Sequence, residues 1–156
     1  MSQAHLHLIL NHFPIAGTII GLFVLIFSVM LQNAVIQKTG LCILLFAALT
    51  AIPVFLTGEG AEEILDSIGQ KSEHFISVHE EYAEKAFWLM ELTGLLSLIS
   101  LFRLRSGKYA RILSFVVMSM GILSVIFIVL TANSGGKIRH IEIRTANESP
   151  QSNELK

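Results

Sequence analysis

Four long apolar blocks constrain this chain more than any other feature. Residues 13–31 carry no formal charge, residues 41–57 are shorter but uninterrupted, residues 86–102 hold a single acid, Glu91, and residues 112–131 are again uncharged. Each approaches the roughly 20 residues that cross a bilayer core as a helix. No run of short alternating strands is visible, so a barrel is not encoded. A lipid-facing backbone must satisfy its own hydrogen bonds, which leaves helices as the spanning structure. The expected architecture is therefore all-α, an integral membrane four-helix bundle. It forms one domain over residues 1–144, followed by a polar tail at 145–156 expected to be disordered.

Composition agrees. Of 156 residues, 53% are hydrophobic and 15% charged, against about 25% charged in a soluble domain. A formal net charge of −1 gives no reason to expect a nucleic-acid partner. Cys42 is the single cysteine and sits inside an apolar block. It excludes an intrachain disulfide and a c-type haem attachment motif, and reads as a small apolar filler. The first apolar block follows a histidine-bearing segment without Lys or Arg and is too long for a signal core. It reads as a retained helix rather than a cleaved leader.

The connections differ in charge. Residues 32–40 carry only Lys38, and residues 103–111 carry Arg103, Arg105, Lys108 and Arg111. The long middle connection, 58–85, is acidic, with eight acids against Lys71 and Lys85. It is expected to form a short helix near residues 61–67, after which Ser72 caps a long helix running into the third span. With four spans, both termini and this connection share one face of the membrane. Positive charge in the two short loops places those loops in the cytoplasm and the termini outside, although Lys137, Arg139 and Arg144 follow the last span. Within the spans, Gly17 and Gly21 form a small-xxx-small pattern suited to close packing inside the bundle. Pro53 is expected to free a carbonyl near Leu49, with the Thr50 hydroxyl as local compensation.

This topology puts all six histidines, at 5, 7, 12, 74, 79 and 140, on one face, together with Glu59, Glu62, Glu63, Glu80 and Glu142. Imidazole and carboxylate together suit a transition metal, and histidines on separate helices can also hold a haem iron. A wet polar interface that simply collects such residues is the competing reading. No fixed-spacing motif decides between them: His79-Glu-Glu-Tyr-Ala is not His-Glu-x-x-His. At 100° per residue, His74, Glu81, Glu84, Trp88 and Glu91 share a helical stripe, whereas His79 falls on the Phe75 and Tyr82 side. Glu91 lies more than a turn inside its apolar block. A carboxylate there is costly unless protonated, paired or wetted, so it reads either as a packing acid or as a proton-carrying group.

Three stretches recur together in one known grouping: residues 11–16 (NHFPIA), residues 57–63 (TGEGAEE) and residues 135–144 (GGKIRHIEIR). On these the chain resembles an uncharacterised bacterial membrane-protein family, a domain of unknown function with a His-Phe-Pro-Ile-Ala signature, over about residues 4–144. The resemblance implies a four-helix membrane bundle. Some relatives are joined to c-type cytochrome domains, which implies a c-type cytochrome or other redox partner. It supplies no agreed activity. The motif positions it carries over are His12, Glu59, Glu62, His79, Glu80, His140 and Glu142; Ile141 stands where some relatives have proline.

The functional expectation is a transition-metal centre at the outer face of a bacterial inner membrane, engaged in redox chemistry or metal handling. Its ligands are expected to be His12, His79 and His140 with Glu59 or Glu62. Arg139, Glu142 and Glu80 would support them, and Glu91 would lie on a proton path. The ligating nitrogens should then approach to on the order of 4 Å, for ligands about 2 Å from one metal. The alternatives are a b-type haem protein with two axial histidines and an accessory membrane subunit with no cofactor.

Overall fold

The computed structural model describes residues 2–67, 73–103 and 108–144. Six α-helices follow one another: α1 (Gln3–Leu10), α2 (His12–Leu31), α3 (Ala34–Leu56), α4 (Gly58–Ser67), α5 (Glu73–Arg103) and α6 (Lys108–Arg139), with a 3₁₀ turn at Ile141–Ile143. Among the described residues there is no strand. The stretch from α1 through α2, and the helices α3, α5 and α6, are each long and apolar enough to cross a membrane. The expected all-α four-helix bundle is therefore the observed fold.

The apolar blocks form the middle of longer helices, and local chemistry decides where each ends. The break between α1 and α2 falls at Asn11, because Pro14 has no N–H to bond the Leu10 carbonyl. The α2–α3 connection is only Gln32 and Asn33. Gln32 closes α2 in the left-handed region at φ 50°, and the Asn33 side chain accepts hydrogen bonds from the backbone N–H of Val35 and Ile36 at 2.9 and 3.2 Å. This cap starts α3 two turns before the apolar block begins, so residues 34–40, read from sequence as loop, are helical. Pro53 is accommodated inside α3, but the Thr50 hydroxyl bonds Ala47 O at 2.9 Å, not the carbonyl of Leu49. The middle connection does form a helix, beginning at Gly58 and so earlier than expected. Ser72, expected to cap the next helix, lies outside the described residues, as does the tail at 145–156.

α3 packs against both α2 and α5, and α6 packs against α5 and, less extensively, α2. Two apolar clusters fill the bundle. Leu25, Leu41, Leu44 and Val117 are buried towards the short-loop end, and Ala51, Ala86, Met90 and Ile128 towards the histidine end. Between the helices the buried residues are often small and hydroxylated: Thr18, Ser28, Thr93, Ser97, Ser114, Ser124 and Ser134. Ser97, Ser114, Ser124 and Ser134 bond the carbonyl four residues back, so close approach costs no unsatisfied hydroxyl there. Gly17 and Gly21 both meet α3: a Cβ on Gly17 would lie 2.9 Å from Ala47 Cβ, and one on Gly21 2.9 Å from Leu44 Cγ. The outward faces carry Ile20, Phe23, Phe27, Phe46, Leu49, Leu95, Ile99, Phe115, Ile122 and Ile126, all exposed. A continuous apolar exterior of this kind suits lipid rather than water. Cys42 is exposed among them.

Candidate functional site

At the histidine end, α1 extends α2 beyond the bundle, and α4 folds back to pack on it. The fit is tight: a Cβ on Gly60 would collide with the Gln3 side chain. This arrangement lays His7, on the inner side of α1, against the last turn of α3. His7 Nδ1 lies 3.0 Å from Val54 O and 3.3 Å from the Thr57 hydroxyl. Val54 belongs to the final turn of α3, and its carbonyl, which already accepts from the backbone N–H and the hydroxyl of Thr57, takes the imidazole as a further partner. A carbonyl only accepts, which fixes the proton on Nδ1 and leaves Nε2 of the neutral ring with the lone pair.

His79 is held in the same way by the opposite side of the bundle. Its Nδ1 lies 3.0 Å from Thr131 O on α6, with the Ser134 hydroxyl at 3.5 Å. Thr131 is in mid-helix. Its carbonyl is reachable because residue 135 is glycine: a Cβ there would lie 3.0 Å from both Cε1 and Nδ1 of His79. Among the described residues, neither Nε2 has a hydrogen-bond partner. One turn after His7, Asn11 buries its Oδ1 without a partner as well. A cavity of about 270 Å³ between α5 and α6, lined in part by Phe75, Tyr82 and Asn133, reaches Ser134 beside the His79 ring.

The other expected site residues are placed differently. Among the described residues, no three of His, Cys, Asp and Glu are grouped to hold a metal ion, so His12, His79 and His140 are not brought together, alone or with Glu59 or Glu62. His12 is exposed as the first residue of α2, and Glu59 and Glu80 are exposed. Glu62 is half-buried on α4. His140 lies past the end of α6, exposed, with Nδ1 2.8 Å from Glu142. Glu142 is held below the usual carboxylate range, chiefly by its own backbone N–H and then by His140. The Arg139 side chain lies outside the described residues. Arg144, which the sequence did not single out for the site, secures this end of α6. Its guanidinium donates to Lys137 O and Ile138 O at 2.8 and 3.1 Å and lies 4.5 Å from the Phe75 ring centre.

The stripe on α5 divides. His74, Glu81, Glu84 and Trp88 are exposed, and Glu81 pairs with Lys85 at 2.5 Å. Glu91 is half-buried, its Oε1 enclosed and without a partner. It lies one turn from Phe87, which stacks on Phe55 of α3 at 4.3 Å, and from Gly94, which abuts Ala48. That puts it at the α3–α5 seam. Glu91→Gln keeps the shape and adds a donor, so helix content is expected to persist and the thermal midpoint in detergent to move by no more than a few degrees, the scale of a ~1 kcal/mol change. Loss of folding in this variant would show that the carboxylate itself ties α3 to α5.

No protein-family model, curated protein or solved structure matches the chain. The fold alone assigns the class: a multi-pass, all-α membrane protein built on four spanning helices.

Proposed function

We propose that this protein holds a transition-metal ion at one membrane face through His7 and His79 and uses it in redox chemistry or metal handling. The observation that carries the reading is the matched anchoring of these two rings. Each is pinned through Nδ1 to a helix carbonyl, and each presents Nε2 with no competing partner. A backbone carbonyl on the far nitrogen is the usual support of a metal-bound histidine, because it fixes the tautomer and the ring orientation. Further ligands would come from α4, which packs on α1 and carries Glu59 and Glu62. His5, His12, His74 and His140 are the remaining imidazoles on that face. The membrane would be a bacterial inner membrane with this face outward, since Lys38 and Arg111 lie at the opposite end. A partner able to exchange electrons, such as a c-type cytochrome, would meet the site there.

Metal analysis and visible absorption of the purified full-length protein test this reading. The protein is first stripped with chelator, then loaded with Zn²⁺, Cu²⁺ or Fe²⁺ and desalted. About one metal per chain is expected, abolished by His7→Ala with His79→Ala and retained by His5→Ala. A haem absorption band in the unstripped protein would instead assign the two Nε2 atoms to haem iron. Protein with neither metal nor chromophore, or equal loading of the double variant, would defeat the proposal.

A further inference from the structure

At the other end of the bundle, a cavity of about 440 Å³ opens between the α2–α3 connection and the start of α6. Gln32, Asn33, Gln37, Lys38, Arg111 and Ser114 line it. Gln37 bonds Ser114 across the gap, joining α3 to α6 beneath the opening. Asn33 Oδ1 takes the Val35 and Ile36 N–H groups, and the Ser28 and Ser114 hydroxyls donate to Leu25 O and Ala110 O. The charged groups on the lining are both cationic donors, the Lys38 ammonium and the Arg111 guanidinium, and the Asn33 and Gln32 amides add N–H donors beside them. Lys38 and Arg111 come from different helices, and among the described residues neither makes an ion pair and no acid lines the cavity. It lies at the first turns of α3 and α6 and at the last turn of α2, so helix ends of both signs meet there and the positive field comes from Lys38 and Arg111. Leu31, Val35 and Ile112, next to or near lining residues in sequence, are exposed and apolar.

We propose that this cavity binds a phosphate group, carried by an anionic lipid or free in solution. Two cations from different helices, with amide donors beside them and no acid among the described lining residues, match a ligand whose outer atoms are all acceptors. The guanidinium can grip two phosphate oxygens at once while the ammonium serves as a point charge. Basic pockets between spanning helices on the cytoplasmic side recognise lipid head groups in this manner. The exposed apolar flank offers acyl chains a place beside the cavity mouth. The site lies at the opposite end of the bundle from the two histidines and does not depend on them.

The test uses full-length protein in neutral detergent. Retention of phosphatidylglycerol and of phosphatidylcholine is counted by native mass spectrometry, with and without inorganic phosphate as competitor. Saturable retention of phosphatidylglycerol over phosphatidylcholine is expected. Lys38→Gln with Arg111→Gln should weaken it on the order of tenfold or more, because each basic residue at such a surface contributes several-fold. Lys85→Gln, which removes a charge at the other end, should leave it unchanged. If inorganic phosphate alone binds at the cavity or displaces the lipid, the phosphate itself is the recognised group. If only the lipid binds, the site is a head-group site. Equal retention of the two lipids, with no binding of inorganic phosphate, overturns the proposal, and this comparison stands even if the double variant fails to fold. Retention in a folded double variant equal to that of the unaltered chain overturns it as well.

Discussion

Gly40→Val should be the most damaging single substitution in the bundle. At Gly40, α3 lies directly against the backbone of α2. A Cβ there would lie 2.8 Å from Leu25 N, 3.0 Å from Leu25 Cα and 3.2 Å from Gly21 O. All three are backbone atoms held in a helix, so no rotamer change relieves the clash and the two helices must separate. Separation loosens the buried contact among Leu25, Leu41 and Leu44, in a solvent where close packing rather than water exclusion holds helices together. The cost should reach or exceed the upper part of the ~1–3 kcal/mol range for overpacking, a large share of a total stability of roughly 5–15 kcal/mol. Gly121→Ala is the comparison, since its Cβ would meet only the flexible end of Leu22, at 3.2 Å. Reversible unfolding in mixed micelles should separate the two variants clearly. Similar midpoints would mean that α2 and α3 are not held together at this crossing.

How far the sequence could be read depends on which kind of interaction decides each feature. Hydropathy places the four spans because the need to bury backbone polar groups in lipid acts on every residue of a span. It misses the true helix ends, which depend on single residues. Asn33 caps α3 well before the apolar block, at a point where Gln37 and Lys38 make the segment look like loop. Helical phase also located His79 correctly, on the Phe75 and Tyr82 side of α5, away from the exposed stripe of Glu81 and Glu84. The same phase argument puts Glu91 on that stripe, but the cost of a carboxylate in lipid predicts an inward-facing group there, and its Oε1 is enclosed.

The histidines were harder to rank. Of His5, His7 and His12, which neighbour one span, the sequence points to His12 as the ligand. Only the docking of α1 on the last turn of α3 singles out His7, through a carbonyl, Val54 O, 47 positions away in the chain. Two local signals point towards it. Pro53 marks the end of α3, whose last turn holds the Val54 carbonyl. His7 and Asn11 stand four apart, and so share a helical face just before an apolar run. The second anchor left a plainer mark. In the sequence Gly135 stands out only as part of a motif, yet its missing side chain is what lets His79 reach the backbone of α6.

Gly135→Ala should therefore separate stability from metal binding. Alanine is the better helix former by about 0.8–1.0 kcal/mol, so α6 by itself gains from the change. The added methyl would sit 3.0 Å from Cε1 and Nδ1 of His79, but 3.9 Å from Nε2. It pushes on the anchored edge of the ring and spares the nitrogen proposed to bind metal. The ring must turn or withdraw, and the 3.0 Å bond from Nδ1 to Thr131 O is lost. Loss of such a supporting hydrogen bond typically costs 10–100-fold in metal affinity, although both imidazoles remain in the chain. Gly136→Ala makes the same helix-favouring change one residue on, where its Cβ would meet only Ile143 Cδ1 at 3.1 Å, the mobile tip of a side chain. The expected outcome is that Zn²⁺ titration of the stripped protein weakens on the order of 10–100-fold for Gly135→Ala and is unchanged for Gly136→Ala, with helix content undiminished in both. Equal Zn²⁺ affinity in the two variants would mean that the grip of Thr131 on His79 has no bearing on the metal, and the matched anchoring would lose its functional meaning.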